Sequence, residues 1–492
     1  MKNVSTNKFG CILLLSFALP LISLAETGTT TTIDGTNLTV AANFGVGATG
    51  PSNTLHVING GSLNNEDGFV GLASSADHNI AEISGANSTW NNQNWNNGYA
   101  GASNLVNIVG GGAVNAEFQG YIGRASGSDN NRVLVADTGS TLEIGGTLFL
   151  GNAGKDNQLI VSNNAQVVVG AALIVGNNSD STGNQLLIES GEVSIQTGTF
   201  RLAGQGEGTV TINGGRLASS LFEAEGGSGS VINFHAGEID AGNLQIQTGV
   251  PMIVGDGTQA ATLRLGATSH IINNGLQVSE NSQLIGLGDI VGDLTNSGSI
   301  FPGEGPAVFS IFGDSNFDAS SNLELDLHGP GAGAEHDQFI VSRTAVLDGN
   351  LSLRVGNGFQ PGSSDEFVVL QAQTLSGTFA NAPDGARINS VDGSGSFQVN
   401  YFDQTVVISG FAPSMDPLKI SAIRLTGGTG LEVDVIGLRP GAIARVFRVT
   451  DLFNDPLNNA VEMDSFTPSN ANETWIGTAV SGSDTLLILQ EL

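Results

Sequence analysis

The chain has 492 residues, with 16 Lys and Arg against 46 Asp and Glu, a formal charge of −30, and only 13% charged residues. So few bases cannot form the positive surface that nucleic-acid binding requires, which excludes that class of function. Hydrophobic residues make up 40%, which is too many for a disordered chain, and 70 glycines favour a fold with many turns.

The first 25 residues have the features of a secretory signal peptide. Two Lys residues precede an apolar run, and Ser23 and Ala25 provide the small side chains of a cleavage site. The run is short and is interrupted by Pro20, which argues against a transmembrane helix. We therefore expect residues 1–25 to be removed and the mature chain, which then has no Cys and no membrane-spanning segment, to be secreted or held at the cell surface.

A repeat with eight rows follows. The rows start 22–27 residues apart, at Asn53, Asn79, Asn104, Asn131, Asn157, Asn184, Gly208 and Ser230. The second and fourth residues after each start are apolar in every row, and this alternation predicts a β-strand with one face buried. The side chains expected to point inward include those of Leu55, Val133, Val161 and Ile188. The side chains expected to point outward include those of His56, Leu134 and Ile160.

Each row contains two further short strands. The second strand centres on an apolar column: Leu63, Trp90, Val114, Leu142, Val167, Val193, Leu217 and Ile239. The third ends in strings such as GFVG, GYAG, GYIG, LFLG and LIVG. Three strands in about 25 residues predict an all-β, right-handed parallel β-helix with one row per coil.

An asparagine begins each of the first six rows. Because the rows stack, we expect these asparagines to form a column at a turn. Asn tolerates a positive φ, and stacked amides can hydrogen-bond along a ladder.

The sequence predicts four segments along the chain. Residues 1–25 are the signal peptide, and residues 26–285 are the β-helix repeats. Residues 286–411 are expected to continue the solenoid with longer coils and then cap it, since an open end exposes unpaired backbone. The composition changes at residue 412, and strands such as LEVDVI and ARVFRV predict a small β-sandwich-like domain over residues 412–492.

Several strings carry a family resemblance. GANSTWNNQNWNNGYAG (Gly85–Gly101) resembles repeats of autotransporter passenger domains and of surface proteins associated with PEP-CTERM sorting signals. GLGDIVGDLTNSGSIFPGEGP (Gly286–Pro306) and HDQFIVSRTAVLDGNLSLRVG (His336–Gly356) look like the segment that closes such helices. The resemblance implies a secreted or surface-attached bacterial solenoid, often adhesive. Residues 412–492 are too few for an autotransporter barrel, and the ending LLILQEL lacks a PEP-CTERM anchor, so we expect neither device.

Motifs for catalysis and cofactors are weak. GVGATG (Gly45–Gly50) is followed by Pro51, which favours a turn over a dinucleotide site. Four residues near GPGAG carry metal-ligating groups, but their spacing matches no known site, and we expect solvated turn residues instead. These residues are His328, Glu335, His336 and Asp337. The sequence therefore predicts no catalytic residue, no metal site and no cofactor.

Two surface features are candidate sites. His56 and Glu82 occupy outward positions of adjacent coils, where a surface ion pair is favoured over a catalytic pair. Phe69, Tyr99, Tyr121 and Phe149 are expected to share a column in the third strand, and the glycine before three of them leaves open which face of the strand the column occupies. This column is either an aromatic stack that stabilises the solenoid or a surface that binds a ligand or partner. Trp90 falls in a buried column, and Trp95 is expected in an Asn-rich turn.

Two functions remain open at this point. The first is a secreted or cell-surface structural or adhesive β-solenoid without catalytic activity. The alternative is an extracellular protein that binds or degrades polysaccharide. Three acids and a base clustered on an outward face would favour the alternative, and the sequence does not reveal such a cluster. The expected partners are extracellular polysaccharide or cell-surface components. The oligomeric state is left open.

Overall fold

A computed structural model describes most of the chain. The described residues are 21–24, 27–224, 229–414, 419–426, 430–437, 444–449, 460–469, 472–478 and 485–490. They form β-strands, and none of them belongs to a helix long and apolar enough to cross a membrane. The chain divides into two compact units. The first comprises Met1–Pro361, Asp365–Ile388 and Gln398–Ser409, and the second comprises Gly362–Ser364, Asn389–Phe397 and Gly410–Leu492.

The first unit is a parallel β-solenoid of about 13 turns with roughly 25 residues per coil, which confirms the predicted fold class. Each coil in its first part has three strands, which stack to form three faces. Face one consists of Thr30–Asp34, Thr54–Ile58, Ile80–Ser84, Leu105–Val109, Arg132–Ala136, Gln158–Ser162, Asn184–Ile188, Gly208–Ile212 and Val231–Phe234.

Faces two and three follow face one in each coil. Face two begins with Asn37–Thr39, Ser62–Asn64, Thr89–Asn92, Ala113–Ala116, Thr141–Ile144 and Gln166–Val169. Face three begins with Leu21–Leu24, Asn43–Val46, Asp67–Val70, Asn94–Asn97, Gly120–Ile122, Thr147–Leu150 and Ala172–Val175. The two faces are then joined by long strands that bend at the corner: Glu192–Leu202, Arg216–Ala224, Gly237–Ile246, Ala261–Ile272 and Ser282–Val291.

The parallel ladder continues beyond residue 250. Its later strands are Met252–Val254, Leu276–Val278, Leu294–Asn296, Ser299–Phe301, Val308–Phe312, Ser315–Phe317, Asn322–Leu327, Gln338–Leu347, Asn350–Val355 and Glu366–Gly377. Thr405–Pro413 then pairs antiparallel with Glu366–Gly377, after the short strands Arg387–Asn389 and Gly395–Tyr401.

The expectation of longer coils holds only for the last part of the solenoid. Asp293 and Asp314 are hydrogen-bonded across neighbouring coils and lie 21 residues apart. The next step, from Asp314 to Thr344, spans 30 residues. The extra length lies partly in the loop that contains GPGAG, so an insertion between strands, rather than a longer strand repeat, enlarges the coil.

The predicted core is confirmed. Leu55, Val133, Val161 and Ile188 are fully buried, as is the whole apolar column of the second strand. His56 and Leu134 are half-buried on the outer surface. Ile160 also occupies an outward position, but it is only 7% exposed because Leu134 and Leu187 flank it on the adjacent coils.

The asparagine ladder is also confirmed, and the asparagines of the six rows are buried. In each step, the backbone N–H and the side-chain amide of one asparagine donate to the Oδ1 of the next, at 2.9–3.0 Å. The positive φ, however, belongs to the residue before each asparagine, for example Ser52 and His78. That left-handed residue turns the chain so that the amide points along the stack.

A column of turn glycines lies against this ladder. Gly47, Gly71, Gly98, Gly123 and Gly151 have φ between 70° and 76°. A Cβ at any of them would lie only 2.1–2.3 Å from the amide nitrogen of a ladder asparagine on the next coil. Glycine is thus required both by the backbone conformation and by the space that the amide fills.

The predicted signal peptide falls largely outside the described residues. Of residues 1–25, only Leu21–Leu24 are described, and they form a strand parallel to Asn43–Val46.

The second unit contains two antiparallel three-stranded sheets in its C-terminal part. One sheet consists of Lys419–Thr426, Gly430–Ile436 and Asn472–Thr478, and the other consists of Ala444–Val449, Ala460–Phe466 and Thr485–Gln490. Side chains of both sheets share one core, formed by Val433, Val435, Ala444, Val446 and Trp475. Trp475 also donates its Nε1–H to Asp464 at 2.9 Å. Two sheets packed on a common core form the predicted β-sandwich.

Candidate functional surfaces

The aromatic residues on face three do not form one column of four. The strand register aligns Phe69, Asn96, Tyr121 and Phe149 on successive coils. Tyr99 lies three residues after Asn96, beyond the end of its strand, so its predicted place in the column is wrong.

The misplacement of Tyr99 arises from its neighbouring glycine. The string GYAG looks like GFVG and GYIG, which suggests that Gly98 corresponds to the strand residues Gly68 and Gly120. In the structure Gly98 has a φ of 76° and is instead equivalent to the turn glycines Gly71 and Gly123, whose φ is 75°. Local string similarity could not separate the two kinds of glycine, because only the backbone conformation distinguishes them.

Arg124 connects the aromatic side chains of neighbouring coils. Its guanidinium lies 4.7 Å from the ring centroid of Tyr99 and 4.4 Å from that of Tyr121. It also donates a hydrogen bond of 3.2 Å to Asn96 Oδ1. Tyr99 packs edge-on against Phe69 with a centroid distance of 5.6 Å, and Tyr121 stacks on Phe149 at 5.0 Å. These contacts are cation–π and aromatic pairs that join coils.

This packing leaves little ring surface for a ligand. Phe69 is 6% exposed and Tyr121 is 9% exposed. Phe149, on the next coil, covers one face of Tyr121, and Arg124, on the side of Asn96, covers the other. A sugar ring stacks on an open aromatic face, so this arrangement favours a role in cohesion between coils over a role as a binding surface.

Trp95 does not lie in a turn, as the sequence suggested. It belongs to the strand Asn94–Asn97 and is fully buried. Its partners on the two adjacent coils are Gly68 and Gly120, which have no side chains. Glycine is required at both positions because a Cβ there would lie within 3 Å of side chains of the following coil.

His56 and Glu82 form the expected surface ion pair. They are register partners on adjacent coils, and His56 Nδ1 lies 3.2 Å from Glu82 Oε2. Their side chains are 32% and 36% exposed. A pair that is so accessible to water contributes little to stability.

A charged cluster that the sequence analysis missed lies on face two. Arg216 forms ion pairs with Glu192 at 2.9 Å, with Glu238 at 3.1 Å and with Asp240. Glu192, Arg216 and Glu238 are register partners on three consecutive coils. Three acids and a base on an outward face are the feature that would favour polysaccharide chemistry. Their separations of 24 and 22 residues, equal to the local repeat, were the available signal.

The cluster continues along the same face. Arg264 lies 3.9 Å from Glu238 and 2.5 Å from Glu304. Burial opposes the charge on Arg216, but hydrogen bonds to Glu238, Glu192 and Asp240 outweigh it and raise the pKa of this guanidinium. Each carboxylate of the cluster is therefore held by an arginine through a charge-assisted hydrogen bond.

Two of the four residues weighed as metal ligands are buried, which corrects the expectation of solvated turn residues. His336 is 2% exposed and Asp337 is 3% exposed. The Asp337 carboxylate accepts hydrogen bonds of 2.7 Å from the backbone N–H groups of Ala307 and Asp326. Burial raises the pKa of Asp337 to about 7. Asp337 thus joins two coils at the base of the glycine-rich loop.

The other side chains near this loop point to different partners. His336 Nδ1 lies 3.2 Å from the carbonyl oxygen of Gly329, and burial lowers the pKa of this histidine. The half-buried His328 contacts the Asn357 amide, and the exposed Glu335 accepts a hydrogen bond from a loop backbone N–H. Within the described ranges, three or more potential metal ligands are nowhere grouped together.

No known family model matches the chain, and no curated protein shows significant similarity to it. The resemblance to autotransporter passenger and PEP-CTERM-associated repeats remains a prediction based on the sequence strings.

Proposed function

We propose that the protein is a secreted or cell-surface structural or adhesive β-solenoid that acts through its surface and not by catalysis. One observation carries this proposal: the charged side chains around Arg216 and the aromatic side chains around Arg124 are paired with side chains of neighbouring coils. Arg216 holds acids from both adjacent coils, and Arg124 packs on two tyrosines. These groups stabilise the stack of coils along its length.

The paired carboxylates are poorly suited to proton transfer. A general base must reach the substrate, whereas Glu192, Glu238 and Asp240 already direct oxygens at Arg216. The cluster therefore supports a role in cohesion.

A specific observation also favours the alternative function, an extracellular protein that binds or degrades polysaccharide. The cluster around Arg216 has the three acids and the base that polysaccharide chemistry on a β-helix requires, and all four side chains are 31–38% exposed. Rearrangement of the ion pairs by a bound substrate would release a carboxylate for chemistry.

Purified residues 26–492 should be incubated with a panel of neutral and acidic polysaccharides. Retention on each immobilised polysaccharide and the release of reducing or unsaturated ends should be measured in parallel. We expect no release of new ends, with or without retention. Release that disappears in Glu238→Gln but persists in Glu82→Gln would overturn the proposal and favour the degrading enzyme. Glu82 is the matched control because it is an exposed acid paired on another face.

A further inference from the structure

An open, shallow depression of about 820 Å³ lies near the end of the solenoid, in the first unit. The turn between Gly395–Tyr401 and Thr405–Pro413 forms one side, and the strand Glu366–Gly377 forms the other. The side chains that matter for a ligand are those of Gln373, Thr374, Phe402, Asp403 and Gln404.

The turn that carries Phe402 is held firmly in place. The Tyr401 hydroxyl donates to the carbonyl of Ala382 at 2.8 Å and accepts the N–H of Phe379 at 3.0 Å. The backbone N–H of Tyr401 donates to Asp384 at 2.9 Å, and that of Phe402 donates to the carbonyl of Thr405 at 2.9 Å. Burial raises the pKa of Tyr401 to about 12, so its hydroxyl remains a donor. A binding surface on this turn would be largely preformed.

Phe402 differs from the aromatic residues of face three. It is 59% exposed, and within the described part of the chain no other ring or cation packs on it. An aromatic ring fixed at its backbone, with open faces, provides a flat apolar surface for a ligand that also has a flat apolar face.

Polar groups surround this ring. The Gln373 amide and the Asp403 carboxylate are exposed, and among the described residues neither side chain is engaged in a hydrogen bond. Gln404 donates its Nε2–H to the backbone carbonyl of Gln373 at 3.2 Å, which leaves its own Oε1 as an acceptor. Amide and carboxylate groups around an exposed ring match a sugar, whose C–H face stacks while its hydroxyls donate and accept hydrogen bonds.

The negative charge at this site favours uncharged ligands over acidic ones. Asp403 would repel a carboxylate or sulfate on the ligand, and the formal charge of −30 on the chain adds to this repulsion. A hydroxyl, by contrast, can donate directly to the Asp403 carboxylate. The site therefore suits an uncharged sugar chain better than a polyuronate.

We infer that the depression beside Phe402 binds a neutral saccharide. This inference rests on the proposed adhesive function, for which it names the binding site and the class of ligand. The proposed binding site is distinct from the aromatic residues of face three, whose rings pack between neighbouring coils.

Binding should be measured for residues 26–492 with soluble neutral oligosaccharides, including glucan, mannan and N-acetylglucosamine oligomers, and with oligouronates. We expect binding to at least one neutral oligomer and weaker binding to the oligouronates. Phe402→Ala should weaken that binding by at least about tenfold, as truncation of a central aromatic anchor usually does. Gln373→Ala should weaken it by a smaller factor.

Phe118→Ala is the matched control, because Phe118 is 50% exposed and lies on an early coil. It should bind the oligomer as the unchanged protein does, and all variants should keep the melting temperature of the parent, since the replaced groups are exposed. Equal weakening by Phe118→Ala, no neutral oligomer bound, or tighter binding of oligouronates would each overturn the inference.

Failure of this inference can be distinguished from failure of the proposed non-catalytic function. Failure of every oligosaccharide to bind would remove this site while leaving a non-catalytic structural protein possible. Release of new ends from a polysaccharide would overturn the non-catalytic assignment even if Phe402 proved essential for binding.

Discussion

The early and late coils of the solenoid are held in register by different means. In residues 53–188 the coils differ by at most two residues in length, and buried asparagine amides hydrogen-bond from coil to coil. In residues 293–379 the coil length changes from 21 to 30 residues, and the interior contains a cluster of phenylalanines. Phe317 packs edge-on against Phe339 at 5.7 Å and against Phe379 at 5.9 Å.

The difference shows what each device requires. An amide ladder needs the same turn at the same place in every coil, because a hydrogen bond tolerates only a small change in distance. The ladder ends where Gly208 replaces asparagine at the next row start. Apolar packing is not directional, so large rings can fill a cross-section that changes from coil to coil.

The largest loss of stability is expected from a substitution in the aromatic core of the late coils. Phe317 is 1% exposed, and Phe317→Ala should lower the free energy of unfolding by about 3–5 kcal/mol through lost burial and a residual cavity. Phe312→Ala, at a neighbouring 52% exposed position, should change it by less than about 0.5 kcal/mol. Chemical denaturation of both variants checks this prediction. Equal effects would mean that the phenylalanine cluster does not hold the late coils.

The next largest loss of stability is expected from a substitution beside the asparagine ladder of the early coils. Gly98→Ala places a Cβ 2.3 Å from the Asn131 amide nitrogen at a residue with φ of 76°, and should cost about 3 kcal/mol. Gly127→Ala introduces the same methyl group at φ of 82°, where nothing lies within 4 Å, and should cost only about 1 kcal/mol. The difference between the two melting temperatures isolates the clash with the amide. If the two variants melt alike, backbone conformation alone explains the glycine column.

A smaller effect concerns pH and is expected in the coils between these two regions. His270 is fully buried in the Ala261–Ile272 strand. Its Nδ1 accepts the backbone N–H of Leu244 at 3.1 Å, and its Nε2 lies 2.9 Å from the carbonyl of Gly266. Burial lowers the pKa of His270 below its ordinary 6.5. The unfolded chain therefore binds the proton first, and the stability provided by neutral His270 is complete above pH 6.5 and is lost as the pH falls towards the folded-state value.

Hydrogen exchange, corrected for the intrinsic effect of pH, should measure this local loss. Between about pH 7.5 and about pH 5.5 the Leu244 amide should lose protection, whereas the amides of the asparagine ladder should keep theirs because they do not titrate. His270→Gln should abolish the change. A local measurement is needed because Asp337, whose pKa is raised to about 7, acts in the opposite sense and loses its contribution as the pH rises. Equal loss of protection at Leu244 and in the asparagine ladder would contradict the assignment to His270.

The early coils could be predicted closely, whereas the candidate surfaces could not. Apolar alternation with a constant period identified inward residues such as Leu55 and Val161, because burial is the strongest constraint on a repeated strand. The asparagine column was visible for the same reason. The position of Tyr99 is not predictable because two kinds of glycine look alike in the sequence. The cluster around Arg216 is not apparent in any single row because its side chains come from three consecutive coils.

The sequence by itself determined the repeat, the parallel strands and the buried columns, since these follow from the order of apolar, glycine and asparagine residues along the chain. Only the tertiary structure decided which outward groups are paired and which are accessible. Side chains more than 20 residues apart meet only after the coils stack, so Arg124, Arg216 and Asp337 acquire their partners from neighbouring coils. The same stacking covers the rings of face three and leaves that of Phe402 open, because this residue lies in a turn beyond the last parallel strand.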